Sequence, residues 1–224
     1  MDEDLRDGIR DALPLHLGIV PFALVAGIAA IDAGLTPVQA LGTSVVVFAG
    51  ASQLAALELI GENAPLVVIV GTAVVINLRM LMYSASIAPY FAKYRQRTRA
   101  VLAYLLTDQA YALSIAEYRN AETDREPWRY YFGIAASLWV VWVIGTVAGI
   151  GLGAGIPDSW GLSFAVPLVF VAILVPAMKG RPQTVAAIVG GGVALLAASL
   201  PLNLGLLAGA VAGILAGTLW EAGL

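Results

Sequence analysis

Long apolar runs alternate with short polar stretches along the chain. Most runs are close to the roughly 17 to 25 residues that an α-helix needs to cross a bilayer. The pattern therefore predicts an all-α integral membrane protein with about 6 to 8 membrane segments. In chain order the segments are Leu13–Ala33, Val38–Leu59, Pro65–Pro89, Ala100–Tyr118, Tyr130–Gly153, Leu162–Met178, Val185–Leu200 and Leu202–Trp220.

Composition agrees with a membrane protein. Hydrophobic residues make up 60% of the chain and charged residues 12%, against about 25% charged residues in soluble domains. The segments use nearly all of the sequence, so we expect residues 1–224 to form a single transmembrane domain. Cysteine is absent and His16 is the single histidine, so neither a metal site nor a cofactor is expected.

Two segments carry small or polar residues at their centres. Segment Val38–Leu59 contains the run from Gly50 to Gln53, and segment Ala100–Tyr118 contains the run from Thr107 to Gln109. Such interruptions are typical of broken or re-entrant helices, whose ends and free backbone groups bind substrates in transporters. For the first segment, the alternative is a straight helix with a small-residue contact face.

Pro21 interrupts the first segment beside Phe22. Proline removes one backbone hydrogen bond and kinks a helix. The kink is either purely structural or part of a substrate path.

The positions of the basic residues distinguish two topologies. With eight full spans and a cytoplasmic N-terminus, seven Lys and Arg residues lie on the N-terminal side and four on the other, which is a weak positive-inside bias. If the two interrupted segments instead enter and leave on one side, all eleven lie on the cytoplasmic side. The eleven are Arg6, Arg10, Lys93, Arg95, Arg97, Arg99, Arg119, Arg125, Arg129, Lys179 and Arg181.

Arg79 lies about two-thirds of the way through the segment Pro65–Pro89. An arginine at that depth costs roughly 2.5–3.5 kcal/mol on insertion scales and normally faces a protein interior or a watery cavity. Asp108 is its natural partner, because each charge is costly alone in apolar surroundings. The pair is either part of a binding site or a structural bridge between two helices.

A zwitterionic amino acid fits this group of residues. Arg79 and the N-termini of half-helices favour a carboxylate, and Asp108 favours an ammonium group. Asp108 is also the candidate carrier of a coupling proton, because burial favours the protonated carboxyl. The candidate substrate-binding residues are Pro21, Phe22, Gly50, Ala51, Ser52, Gln53, Asn77, Arg79, Asp108 and Gln109.

The last segment has a face of four glycines at four-residue spacing. This repeat of small residues lets another helix approach backbone to backbone. The second helix can belong to this chain, to a second copy in a homo-oligomer, or to another partner. The glycines are Gly205, Gly209, Gly213 and Gly217.

Four motifs in about the first 120 residues carry a family resemblance. They are GIVPF (18–22), VFAGASQLAAL (47–57), INLRMLMYSASIAP (76–89) and LLTDQAYALS (105–114). In these motifs the chain resembles the AzlC family of branched-chain amino acid transport proteins. Many members have an acidic residue at the position of Gln109 and a histidine at that of Met80, so the departures bear on ion coupling.

The resemblance implies a multi-pass exporter of branched-chain amino acids in the cytoplasmic membrane. It also implies a small hydrophobic second subunit of the AzlD type. Five site residues, Gly50, Gln53, Asn77, Arg79 and Asp108, carry over onto motif positions.

The leading interpretation is therefore a secondary transporter with a proton as coupling ion. A P-loop pattern is missing, so this chain is not expected to hydrolyse ATP. The alternatives are a non-transporting scaffold subunit or a channel of a membrane complex. A membrane enzyme is not expected, because Ser52 lacks a nearby base, and no nucleic-acid partner is expected.

Overall fold

The computed structural model describes residues 3–119, 125–155, 178, 180–200 and 204–222, and every regular element in these ranges is a helix. The helices form two compact units, the first holding α1 to α8 and the second α9 and α10. Of the predicted segment Leu162–Met178, residues 162–177 lie outside the described ranges. The helices are α1 (Glu3–Asp32), α2 (Pro37–Val46), α3 (Gly50–Gly61), α4 (Leu66–Asn77), α5 (Arg79–Phe91), α6 (Gln96–Tyr104), α7 (Asp108–Tyr118), α8 (Pro127–Gly155), α9 (Arg181–Leu196) and α10 (Leu204–Glu221).

The predicted all-α membrane fold is confirmed for the described ranges. Within them, three helical stretches are long and apolar enough to span a bilayer: Glu3–Asp32, Leu66–Phe91 and Pro127–Ala154.

α1 and α8 run parallel and touch backbone to backbone. A methyl group added at Gly8 would lie 2.2 Å from the carbonyl oxygen of Tyr130, and one added at Gly149 would lie 2.1 Å from that of Leu24. Helices approach this closely only where side chains are missing. We call the end where both helices begin the near end, and the end where both finish the far end. α1 continues as a helix through Pro21.

The first interrupted segment is a re-entrant hairpin, hairpin 1, formed by α2 and α3. α2 begins at the far end, where Thr36 caps it. It reaches the middle of α8, where the Ser44 hydroxyl donates to Thr146 Oγ1 at 3.4 Å. α3 then runs back to the far end. Its last residue, Gly61, lies there beside Ala33, which directly follows α1: a methyl group added at Gly61 would be 3.9 Å from the Cα of Ala33. Hairpin 1 therefore enters and leaves at the far end.

The helix break of hairpin 1 lies at Val47–Ala49. The sequence predicts a break, but places it three residues later, at Gly50–Gln53. Phe48 takes a φ of 41°, in the left-handed region that costs a residue with a side chain about 1–3 kcal/mol. Its ring is buried, so packing of the side chain compensates for the backbone strain.

α4 and α5 form one crossing from the far end to the near end. A tight turn separates them, in which the Leu78 amide donates to the Val75 carbonyl at 3.2 Å. At the other end of the crossing, the ring of Phe91 lies 5.1 Å from that of Tyr131 in the first turns of α8. Arg79 is therefore close to the midpoint of the crossing.

The second interrupted segment is hairpin 2, formed by α6 and α7, and it enters and leaves at the near end. α6 begins at Gln96, five residues after α5 has ended there. At the tip, the Tyr104 hydroxyl donates to the carbonyl of Val45 in hairpin 1. α7 returns to the near end, where the Tyr118 hydroxyl donates to the Pro127 carbonyl at 2.6 Å.

The two hairpins therefore enter from opposite ends, which confirms the re-entrant topology over eight full spans for these two segments. Within residues 3–119 and 125–155, every Lys and Arg except Arg79 lies toward the near end. The loops at the far end contain no basic residue: residues 33–36 are uncharged, and residues 62–65 carry one acidic residue, Glu62.

Ion pairs join several chain segments at the near end. Arg125 pairs with Asp7 of α1 at 3.2 Å and with Glu117 of α7 at 2.9 Å. Lys93, just beyond α5, pairs with Glu126 at 3.2 Å. Partly exposed pairs add little stability, so their main effect is to fix the returning arm of hairpin 2 beside α1 and α8.

In the second unit, the glycine face of α10 packs on α9 in antiparallel orientation. A methyl group added at Gly209 would lie 2.5 Å from the carbonyl oxygen of Gly190, and one added at Gly213 would lie 2.7 Å from that of Ala186. Of the three candidates for the second helix, a helix of this chain lies against the face, so the face is not left open to a second copy. An adjacent helix of the same chain covers it, because the short connection brings α9 there first.

The topology predicts which loops share a side of the membrane. The chain has no cysteine, so Thr36→Cys, Glu62→Cys and Arg95→Cys each supply one labelling site. We expect a membrane-impermeant maleimide to reach positions 36 and 62 from one side and position 95 from the other. If positions 36 and 95 were labelled from one side and position 62 from the other, the result would support eight full spans instead.

Candidate functional site

The tips of the two hairpins meet midway between the near and far ends. Trp139 of α8 donates to the Tyr104 hydroxyl at 2.9 Å, and that hydroxyl donates in turn to the Val45 carbonyl. The ring of Phe48 lies 6.3 Å from the ring of Tyr104. Four helix ends lie at this depth, those of α2, α3, α6 and α7, together with the turn between α4 and α5.

Arg79 and Asp108 form an ion pair at this depth. Arg79 Nη1 lies 2.7 Å from Asp108 Oδ2, and the two side chains are 36% and 34% exposed. Arg79 Nε and Asp108 Oδ1 are buried and have no hydrogen-bond partner. The pair predicted from the sequence is thus formed, and each member keeps one polar atom available.

Helix ends add partial charges around the pair. Asp108 is the first residue of α7, where the positive end of the helix dipole favours a carboxylate. Arg79 is the first residue of α5 and lies two residues after the end of α4, so the two helix ends act on its charge in opposite directions. α3 begins at Gly50 without a side-chain cap, so its first amides are available to an anion.

Gln53 is the centre of a polar network inside hairpin 1. Its side chain is only 3% exposed. Its amide nitrogen donates to Thr43 Oγ1 at 3.0 Å and to Ser44 Oγ at 2.8 Å, and Ser44 reaches Thr146 of α8. These bonds join both arms of hairpin 1 to each other and to α8.

Asn77 connects the crossing helix to hairpin 1. Its amide nitrogen donates to Ser52 Oγ at 2.9 Å. Because Asn77 is two residues before Arg79 and Ser52 is beside Gln53, the network and the ion pair are parts of one polar region.

The remaining predicted residues are placed less centrally. The ring of Phe22 packs edge-on against Trp142 at 5.6 Å and lies beside Gly50, where an added methyl group would come 2.5 Å from it. Pro21 is exposed on α1 and is not among these contacts. Two half-buried residues, Ala51 and Gln109, are second in α3 and α7.

Sequence reasoning missed several residues of the region. Ser44 and Thr146 are fully buried polar residues, and each stands in an otherwise apolar or glycine-rich run, which was the available signal. Tyr111 was also missed; its hydroxyl donates to Ser86 at 2.9 Å and its ring stacks on Tyr83 at 4.5 Å. Tyrosine is common in membrane segments, so nothing in the sequence marked it.

A mostly apolar cavity of about 330 Å³ lies between α5 and α6 and against α8. Its volume is at the lower end of the range for small-molecule sites. Arg99 lies at its near-end side and Leu106, two residues before Asp108, at its deeper side. Its apolar lining includes Ile87, Phe91, Leu102 and Leu106, with Tyr131 of α8.

This architecture defines an integral membrane protein with two opposed re-entrant hairpins around a central charged pair. Residues 14–156 match the family described as AzlC protein. The chain belongs to the AzlC family. The match covers the whole polar region and ends one residue after α8.

Two relatives that align over most of this chain are named as membrane proteins. The chain is 28% identical to the inner membrane protein YgaZ of Escherichia coli (strain K12), over 91% of this chain and 86% of that protein. It is 32% identical to an uncharacterized membrane protein of Archaeoglobus fulgidus, over 85% and 83% of the two chains. No solved structure matches the chain.

Proposed function

We propose that this protein is a secondary transporter that exports branched-chain and other hydrophobic amino acids from the cytoplasm. The observation that carries the proposal is the Arg79–Asp108 ion pair at the meeting point of the two hairpins. Opposed broken helices that meet near the midplane are a recurrent transporter design. Membership of the AzlC family supports the same class.

The site has a group for each end of a zwitterion. Arg79 has an unpartnered Nε, and with the uncapped start of α3 it favours the substrate carboxylate. Asp108 has an unpartnered Oδ1 and favours the ammonium group. The neighbouring cavity between α5 and α6 supplies apolar surface for a branched side chain.

The near end faces the cytoplasm in this proposal. All basic residues of the first unit except Arg79 lie toward that end, and positive residues mark the cytoplasmic side of membrane proteins. The N-terminus is then cytoplasmic, in the cytoplasmic membrane, and hairpin 2 enters from the cytoplasm.

A small subunit of the AzlD type completes the transporter in this proposal. α4 has no buried residue in this chain, and its exposed face, with Leu66, Val67, Val70 and Val74, presents apolar surface to lipid or to a partner. The test of function must therefore include the small subunit.

Efflux of radiolabelled leucine from loaded proteoliposomes tests the function. The protein is reconstituted with and without its small partner, and with and without a pH gradient. We expect saturable efflux that responds to the gradient. Flux that rises linearly with leucine would indicate a channel, and no flux with the partner present would indicate a scaffold.

Asp108→Asn tests the coupling role. Asparagine can still accept a hydrogen bond from Arg79 but takes up no proton, so we expect efflux that no longer responds to the pH gradient. Leucine binding should weaken by no more than about tenfold, or ~1.4 kcal/mol. Asp32→Asn, which alters an exposed carboxylate at the end of α1, is the control. A pH response equal to that of the wild type would remove Asp108 from coupling.

A further inference from the structure

Two amide side chains in the polar region have carbonyl oxygens that lack a partner. Gln53 Oε1 and Asn77 Oδ1 are both buried without a hydrogen bond, although both amide nitrogens are engaged. A buried acceptor without a donor is costly. The two oxygens therefore need an explanation.

The orientation of Gln53 follows from the protons of its neighbours. The Thr43 hydroxyl donates to the Ala40 carbonyl at 2.7 Å, and the Ser44 hydroxyl donates to Thr146. A hydroxyl has one proton, so Thr43, whose proton goes to the Ala40 carbonyl, can only accept from Gln53. The amide nitrogen of Gln53 must face Thr43, and its oxygen must face elsewhere.

The same argument fixes Asn77. The Ser52 hydroxyl donates to the Ala49 carbonyl at 2.9 Å, so Ser52 can only accept from Asn77. Turning the Asn77 amide over would place two acceptors against each other. Its carbonyl oxygen is therefore the free atom.

The unpartnered atoms of the region form a complementary set. Gln53, Asn77 and Asp108 each have one buried oxygen acceptor, and Arg79 has one buried N–H donor. Ser52 connects two of these residues, since it adjoins Gln53 in sequence and bonds to Asn77. An α-amino acid offers three ammonium N–H donors and a carboxylate, which are the groups that this set lacks.

We propose that the side-chain oxygens of Gln53 and Asn77 bind the ammonium group of the substrate, so that the site selects amino acids over their deaminated analogues. This inference rests on the proposed transport of amino acids. Because these two acceptors are uncharged, Asp108 need not stay ionised to hold the substrate and is available to exchange a proton.

The test compares two variants that break the same hydrogen bond. Asn77→Leu removes both the bond to Ser52 and the free oxygen, whereas Ser52→Ala removes only the bond. Binding of leucine and of 4-methyl-2-oxopentanoate, its 2-oxo analogue, is measured on the purified complex. We expect the wild type to prefer leucine by roughly 100-fold or more. Asn77→Leu should lose most of this preference, and Ser52→Ala, which leaves the Asn77 oxygen in place, should lose much less of it.

Two further variants guard against misfolding. Gln53→Met keeps the length of the side chain without its oxygen and should also lower the preference. Asn77→Asp keeps an oxygen acceptor and should retain it. All variants are compared by size-exclusion chromatography.

The outcomes separate the inference from the function. A wild-type preference for leucine that survives in both Asn77→Leu and Gln53→Met overturns the inference alone. If leucine binding requires sodium, the oxygens of Gln53 and Asn77 are assigned to the sodium ion and not to the ammonium group, which also overturns the inference. A wild-type complex that binds no leucine overturns the proposed function together with the inference.

Discussion

Replacing Arg79 with alanine is expected to abolish saturable leucine efflux and to lower the yield of folded protein. Asp108 would remain at the hairpin tips without its cation, and the substrate carboxylate would lose its charged donor. We expect at least about a 100-fold loss of efflux, since losing a charge-assisted hydrogen bond of ~3 kcal/mol corresponds to that factor. Efflux from proteoliposomes at matched protein content measures the effect.

The loss of stability in Arg79→Ala should be moderate. Removing one member of a fully buried ion pair costs about 3–5 kcal/mol. Here each side chain is about one-third exposed, so that range is an upper limit. Thermal unfolding in detergent, followed by tryptophan fluorescence, separates lost stability from lost transport.

Two companion variants decide whether the pair is a binding site or a structural bridge. Arg79→Lys keeps the charge but loses the planar fork of donors, so partial efflux is expected. The double variant Arg79→Ala with Asp108→Ala removes both charges and should regain stability without regaining transport. Recovery of efflux in the double variant would show that the pair only joins two helices.

Gly149→Leu is expected to prevent stable folding of the first unit. Its Cβ would lie 2.1 Å from the Leu24 carbonyl oxygen and 2.9 Å from the carbonyl carbon. Overpacking typically costs about 1–3 kcal/mol when side chains can move. Here backbone is in the way, so α1 and α8 must separate and the cost exceeds that range. We expect aggregated protein on size-exclusion chromatography.

Gly151→Leu is the matched control. Gly151 lies on the same helix two residues later, and an added methyl group there would meet nothing within 4 Å. Both variants place the same apolar side chain in the same membrane segment. Equal chromatographic profiles for the two would contradict the parallel backbone contact of α1 and α8.

The sequence was informative where a residue differs sharply in polarity from its neighbours along the chain. Arg79 and Asp108 stand out because a charge in an apolar run is costly and needs a partner. The re-entrant topology could be anticipated because basic residues concentrate in the cytoplasmic loops of membrane proteins, and two re-entrant segments put all eleven of them on one side. Neither inference needed to know which helices touch.

The position of the break in hairpin 1 was less predictable. The residues that form it, Val47 to Ala49, have no preference for a turn, and Phe48 occupies a backbone conformation that favours glycine. Burial of the Phe48 ring selects this conformation. Gly50, which the sequence places in the break, is instead the first residue of α3, and the rings of Phe22 and Trp142 pack against it.

By itself, the sequence determined the all-helical membrane fold, the two interrupted segments and the central charged pair, because hydrophobic length and the cost of a lone charge are properties of the chain alone. Only the tertiary structure decided that α9 covers the glycines of α10. It alone fixed which way the amides of Gln53 and Asn77 face. That orientation depends on where each neighbouring hydroxyl sends its single proton, and those partners lie on other turns and other helices.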